Sequence, residues 1–172
     1  VAGLIDFPKA RVITSRAAWL DFSARSGLWA VRKGYVRALI PGDLETRLTF
    51  IEDLPRVALS EAFAPFNEAF DVFGDGSLRL VALPGHSAGQ YGAIFCGEDG
   101  RDRFLIADAT WSIDGLTHDS PPPDSTLHFI GQKRAYLETW TNLRALQTRR
   151  PDLRLIPSHC DTAAARESQS LA

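Results

Sequence analysis

Three short apolar runs, each stopped by a residue able to bind a cation, constrain this chain more than any other feature. Leu78 to Leu83 runs into Pro84-Gly85 and then presents His86. Phe104-Leu105-Ile106-Ala107 ends in Asp108, and Leu153-Arg154-Leu155-Ile156-Pro157 ends in Ser158-His159-Cys160-Asp161. Apolar runs of this length, bounded by Gly and Pro, read as buried strands. A fourth run, Tyr91 to Cys96, follows the first histidine at once. Gly85 and Gly89 flank that histidine, and glycine lets backbone come close to whatever His86 touches.

Taken singly, a His after Pro-Gly is a turn residue, and an Asp after a strand is a turn or helix cap. The repetition in one chain, in the order His, Asp, His, points instead to ligands held at strand ends. Neutral imidazole and carboxylate suit zinc, iron or manganese. A carboxylate can also bridge two cations.

Pro84-Gly85-His86-Ser87-Ala88-Gly89-Gln90, then Ile106-Ala107-Asp108-Ala109, then Ile156-Pro157-Ser158-His159-Cys160 resembles the second half of the metallo-β-lactamase-fold hydrolases. The resemblance extends over residues 1–165 and implies an α+β fold, an αββα sandwich incomplete at its N-terminus. It implies that His86, Asp108 and His159 hold half of a one- or two-zinc site, with Asp108 bridging and serving as the catalytic carboxylate. Iron or manganese is also compatible. The signature His-X-His-X-Asp-His of that family is absent, and Val1-Ala2-Gly3-Leu4-Ile5-Asp6-Phe7-Pro8 resembles the segment that follows it. The expectation is therefore a C-terminal portion, a single domain over 1–172, that binds metal weakly or not at all by itself and lacks activity alone. A non-catalytic pseudo-enzyme or interaction module on the same scaffold is the second class.

In the hydrolase reading, water on the cation has its pKa lowered from 15.7 to about 7 and attacks an ester, lactone or thioester of a small-molecule substrate. No Gly-X-Ser-X-Gly occurs, so no serine nucleophile is signalled. Quorum-type lactonases resemble the chain after Asp108, but Asp108-Ala109-Thr110-Trp111 places an indole where they carry a tyrosine, and an indole has no hydroxyl. Glyoxalase-type thioester hydrolysis stays open, without an evident basic cluster for glutathione.

The formal net charge of −2 shows no electrostatic footprint for nucleic acid or membrane. No apolar stretch reaches the about 18 residues of a membrane span. Cys96 and Cys160 do not make a disulfide scaffold, so reduced thiols in the cytoplasm are expected, although a missing N-terminus would hide a signal peptide. Cys160 reads as a buried structural thiol.

The remaining pattern predicts a strand at Arg11–Thr14 and a helix capped by Ser15, with Trp19, Leu20 and Phe22 on its apolar side and Gly27 as its stop. Residues 28–45, with Trp29, Gly34 and Tyr35, read as loop with one short helical piece. Strands are predicted at Arg47–Ile51 and Ala69–Phe73, with a tight turn at Gly74–Ser77. Phe63, Phe66, Phe70 and Phe73 read as core. His118 and His128 read as surface or capping residues. Tyr136, Trp140 and Leu143 recur at helical spacing within Gln132–Arg149, and Pro151 stops that helix. A short helix is predicted at Thr162–Gln169.

Overall fold

The computed structural model describes residues 2–32, 36–129 and 132–170. The readings of Gly34, Tyr35 and the side chains of Trp29 and His128 fall outside what is described. The chain divides into two compact units, Val1–Asp53 and Leu54–Ala172. No helix among the described residues is long and apolar enough to cross a membrane.

In the first unit, β1 (Val12–Thr14) leads into α1 (Arg16–Ala24) and α2 (Gly27–Arg32), and β2 (Leu48–Phe50) pairs in parallel with β1, Val12 opposite Leu48. Ser15 caps α1 as its residue type predicts: its hydroxyl accepts from Ala18 N–H at 3.1 Å. The Arg16 guanidinium meets the Asp53 carboxylate at 2.6 Å, and Arg16 N–H donates to the Glu52 carboxylate. Gly27 does not stop α1. The helix closes at Arg25, whose N–H donates to the Phe22 carbonyl, and Gly27, at φ +62°, opens α2. Leu20, assigned to the apolar side, is exposed, and α1 buries no residue. The strand predicted through Ile51 ends at Phe50, because Ile51–Asp53 winds into a 3₁₀ turn.

In the second unit, β3 (Arg56–Ala58), β4 (Glu68–Asp71), β5 (Leu78–Ala82), β6 (Tyr91–Cys96) and β7 (Asp102–Ala107) form an antiparallel meander. Helices α3 (Ile113–Thr117), α4 (Asp124–Phe129) and α5 (Lys133–Arg149) follow. Then β8 (Arg154–Pro157) returns parallel to β7, and α6 (Asp161–Ser170) comes last. The sheet order is β3-β4-β5-β6-β7-β8. The sequence pattern missed β3, α3 and α4. Each is three to six residues long, too short to display a period. The strand predicted at Ala69–Phe73 ends at Asp71, whose buried carboxylate accepts N–H groups from Phe73, Gly74 and Gly76 and so closes the turn. Phe63 and Phe70 are core, whereas Phe73, just past that turn, is 67% exposed.

Register decides which face is buried. Ile94 lies opposite Phe104, and Phe104 opposite Leu155; this row is inside, with Leu143 and Leu146 of α5 in the same core cluster. Ala93, Leu105 and Ile156 form the alternate row, where Leu105 is exposed. At the far end of β7, buried Arg103 donates to Asp99 at 2.7 Å and to Glu167 at 2.6 Å. It thereby ties the 97–102 turn and α6 to the sheet, and its hydrogen bond holds the Asp99 carboxyl down at about 2.

Helix α5 is seated closely on the turn after β5. Thr139 Oγ1 donates to the Pro84 carbonyl at 2.7 Å, and Gln132 N–H donates to the Gly85 carbonyl at 3.1 Å. Gly85 sits at φ +134°, and a Cβ there would fall 2.3 Å from Tyr136 Cα and 2.4 Å from Tyr136 N. Only glycine fits, on both counts.

Two predictions follow from this packing. Gly85→Ala must lift the turn from α5 and should cost about 2 kcal/mol or more, read as a lowered urea midpoint. Asp99→Asn should be less stable than wild type at pH 7. Because the folded-state pKa of Asp99 is depressed from 3.8 to about 2, the ionic contribution is complete above about pH 4 and is lost as pH falls toward 2. The difference in urea midpoint between the two proteins should therefore shrink over that interval.

Candidate metal centre

Strand polarity alone gathers the three candidate ligands. In the meander β5 and β7 run the same way, and β8 is parallel to β7, so the C-terminal ends of β5, β7 and β8 share one edge of the sheet. His86 follows β5, Asp108 follows β7, and His159 follows β8.

Each is delivered by its own local device. The 83–90 loop is closed at its base by the Leu83 N–H to Gln90 carbonyl bond of 2.9 Å, with Leu83 fully buried. Asp108 follows a non-glycine residue, Ala107, at φ +49°. The β7–β8 pairing slips between Leu105 and Ala107, and Ser158 N–H then donates to the Ala107 carbonyl at 3.0 Å. A bulge of this kind re-aims the following side chain, and a left-handed alanine stores strain that the surrounding bonds must hold. The Ala107–Ser158 bond also sets the backbone one residue before His159.

The side chains meet. His86 Nε2 lies 3.7 Å from Asp108 Oδ2, and His159 Nε2 lies 3.4 Å from Asp108 Oδ1. The carboxylate thus stands between two imidazoles, with a separate oxygen facing each. His86 and Asp108 are partly buried, whereas His159 is 75% exposed and forms the open side. Asp108 Oδ1 and His86 Nδ1 are buried without a hydrogen-bond partner among the described residues. Buried polar atoms without partners need an explanation, and an ion or ordered water supplies one. Ligands about 2.1 Å from a tetrahedral cation stand about 3.4 Å apart, close to the spacing of these nitrogen and oxygen atoms. The donor types, and the spacing within each imidazole–carboxylate pair, are those a zinc-type cation takes. Among the described residues, however, no group of three or more His, Cys, Asp or Glu side chains could hold a metal ion by itself.

The surroundings are mixed. A hollow of about 750 Å³ lies beside His159, walled by Tyr91, Ala93, Leu105 and Ile156. Trp111 is 39% exposed. Cys160 is buried, and its sulfur accepts the Ile113 N–H at 3.4 Å, fastening the start of α3 to the end of β8. His118 is exposed and sits at the end of α3, its Nδ1 2.8 Å from the Asp114 carbonyl. Tyr136 was legible only as part of the apolar stripe of α5. The structure gives it a second character, because burial, with the charge of Asp108 adding to it, pushes its phenol up to about 12.

No family model matches the chain, and no curated protein matches it. Solved structures do. An N-acyl homoserine lactone hydrolase with the product N-hexanoyl-L-homoserine bound at the catalytic metal center is 16% identical, with a TM-score of 0.59 over 90% of this chain and 48% of that one. A variant of AiiA from B. thuringiensis, with N-decanoyl-L-homoserine at the active site, gives the same identity, coverage and score. AidC, a dizinc quorum-quenching lactonase in complex with a product, is 13% identical, with a TM-score of 0.56 over 90% of this chain and 49% of that one. The chain spans about half the length of each of these proteins. At such identities the likeness is one of architecture: this chain has the mixed α+β fold of these lactonases, over about half of their length.

Proposed function

We propose that this chain belongs to a metal-dependent hydrolase that opens an ester, lactone or thioester in a small molecule, with His86, Asp108 and His159 as metal ligands and zinc as the metal. The observation that carries this is the Asp108 carboxylate standing between two imidazoles, one facing each oxygen. A bound zinc would supply an activated water and polarise the scissile carbonyl. A catalytic zinc takes three protein ligands, the number these residues supply, and a second cation bridged by Asp108 would need further donors.

The chain's own residues have definite tasks in this scheme. Both histidines turn Nε2 toward Asp108, so Nε2 is the ligand atom and Nδ1 carries the proton. Seated behind the His86 turn, α5 removes its freedom to swing. Asp108 stands between the two imidazoles and presents a separate oxygen to each. His159, exposed, marks the side from which substrate arrives. Beside it, the hollow offers apolar walls to the acyl part of a substrate. The lactonases of the same fold bind acyl homoserine products, which favours a lactone over a phosphoester. Trp111 supplies an N–H donor and no exchangeable hydroxyl, so proton transfer by a phenol does not come from that position.

The test is metal content with activity. The full-length hydrolase to which this chain is proposed to belong should take up zinc, iron or manganese and release acid from a long-chain lactone in a pH-stat, whereas residues 1–172 alone should bind metal weakly or not at all and show no activity. Asp108→Ala should lose metal and lower kcat/KM by about 100-fold or more. His86→Ala and His159→Ala should each weaken zinc binding by at least about 10-fold. A full-length protein that takes up none of the three metals would instead be a non-catalytic module.

A further inference from the structure

Asp108 and His159 sit on two segments that are bonded to each other on both sides of the pair. On one side the Ser158 N–H donates to the Ala107 carbonyl at 3.0 Å. On the other, the Ile113 N–H donates to the Cys160 sulfur at 3.4 Å, and the Thr162 hydroxyl donates to the Asp114 carboxylate at 3.3 Å. Between the first cross-link and the second lie Asp108 on one segment and His159 on the other. The enclosed pair is the one whose atoms stand 3.4 Å apart, Asp108 Oδ1 and His159 Nε2.

The frame is stiff between its cross-links. The Ala109 N–H donates to the Ile106 carbonyl at 3.1 Å, and the hydroxyl of buried Thr110 donates to the Ser112 carbonyl at 3.0 Å. On the opposite segment a single residue, His159, separates Ser158 from Cys160. Its side chain is 75% exposed, so its backbone rather than its packing directs the imidazole. That backbone is held before His159 by the Ala107 carbonyl and after it by the sulfur.

The sulfur also satisfies a donor that the helix leaves without a partner. Ile113 opens α3, and the first N–H groups of a helix have no acceptor within it. The Ser112 hydroxyl caps α3 by accepting from the Asp114 N–H instead. Ile113 and Cys160 are both buried. Removing the sulfur would leave a buried donor unpaired, which favours drawing the start of α3 away from β8.

We propose that Cys160 is a positioning residue for His159. By holding the Ile113 N–H, its sulfur closes the frame that keeps the imidazole against the Asp108 carboxylate. The frame itself is independent of metal, and its consequence for metal binding rests on the metal-ligand reading above.

Two measurements test this. Each compares Cys160→Ala, which removes the acceptor, with Cys160→Ser, which is similar in size and keeps one. The first is amide hydrogen exchange by NMR on residues 1–172 in chelator. Cys160→Ala should lower protection about fivefold or more at both Ile113 and Ser158. Leu83, whose N–H closes the His86 loop, should exchange as in wild type. Cys160→Ser should return both amides toward wild type. Loss at Ile113 alone would leave the sulfur a cap of α3 and overturn the positioning role. Equal loss at all three amides, or none, would overturn it as well. The second measurement is zinc affinity by chelator competition, with the visible spectrum of the cobalt-substituted full-length hydrolase. Cys160→Ala should weaken zinc about 10-fold and shift the cobalt bands, and Cys160→Ser should restore both. Unchanged affinity with superimposable spectra would overturn the effect on the site. An intense thiolate-to-cobalt band lost in Cys160→Ala would make the sulfur a ligand and overturn the positioning role. A full-length protein that takes up no metal, with the exchange pattern intact, would sink the metal-ligand reading and keep the frame.

Discussion

The close seating of α5 on the turn after β5 is the contact on which the site depends. The Pro84 carbonyl accepts from the Thr139 hydroxyl, the Gly85 carbonyl accepts from the Gln132 N–H, and the Tyr136 backbone occupies the space that a side chain at 85 would need. These contacts leave little slack, because Gly85 meets the helix backbone directly, with no side chain between them. They convert the longest helix of the chain into a fixed abutment for one histidine. The same helix contributes Tyr136, Trp140, Leu143 and Leu146 to the core. The hydrophobic burial that stabilises the unit therefore also locates His86.

The carboxylate and the second histidine are placed by a different device. Parallel pairing of β7 and β8 aligns their ends, and the slip at Leu105/Ala107 turns the chain so that Asp108 leaves the sheet toward both imidazoles. Ala107 adopts a left-handed conformation that glycine would take more easily. An alanine there reduces the freedom of the unfolded chain and is held in the folded state by the Ser158 bond. Rigidity at the site has been favoured over local comfort.

Much of this was legible in the sequence because it is periodic or punctuated. The strands ending at His86, Asp108 and His159 are announced by apolar runs with Pro and Gly beside them. The 17-residue α5 shows its stripe over four turns. What was not legible was of two kinds. Short elements such as β3, α3 and α4 span fewer than two repeats of their own pattern, and the reversal at Gly27 starts a helix where glycine commonly ends one. Interactions across the fold leave no local trace. The Thr139 hydroxyl on Pro84 and the Cys160 sulfur on Ile113 each depend on a partner remote in the chain. The proximity of 86, 108 and 159 is intermediate: order and spacing suggested it, and strand polarity realises it.

The parallel partnership of β7 and β8 carries a kinetic consequence. Roughly fifty residues, including three helices, lie between Asp108 and His159, and pairings over such separations are slow because the loop must close before its contacts give anything back. The meander from β3 to β7 can zip by neighbouring hairpins, whereas the last strand must wait for α3 to α5 to be in place. The edge that gathers the imidazoles is thus closed by the longest-range pairing in its sheet, the kind that contributes most to slow folding.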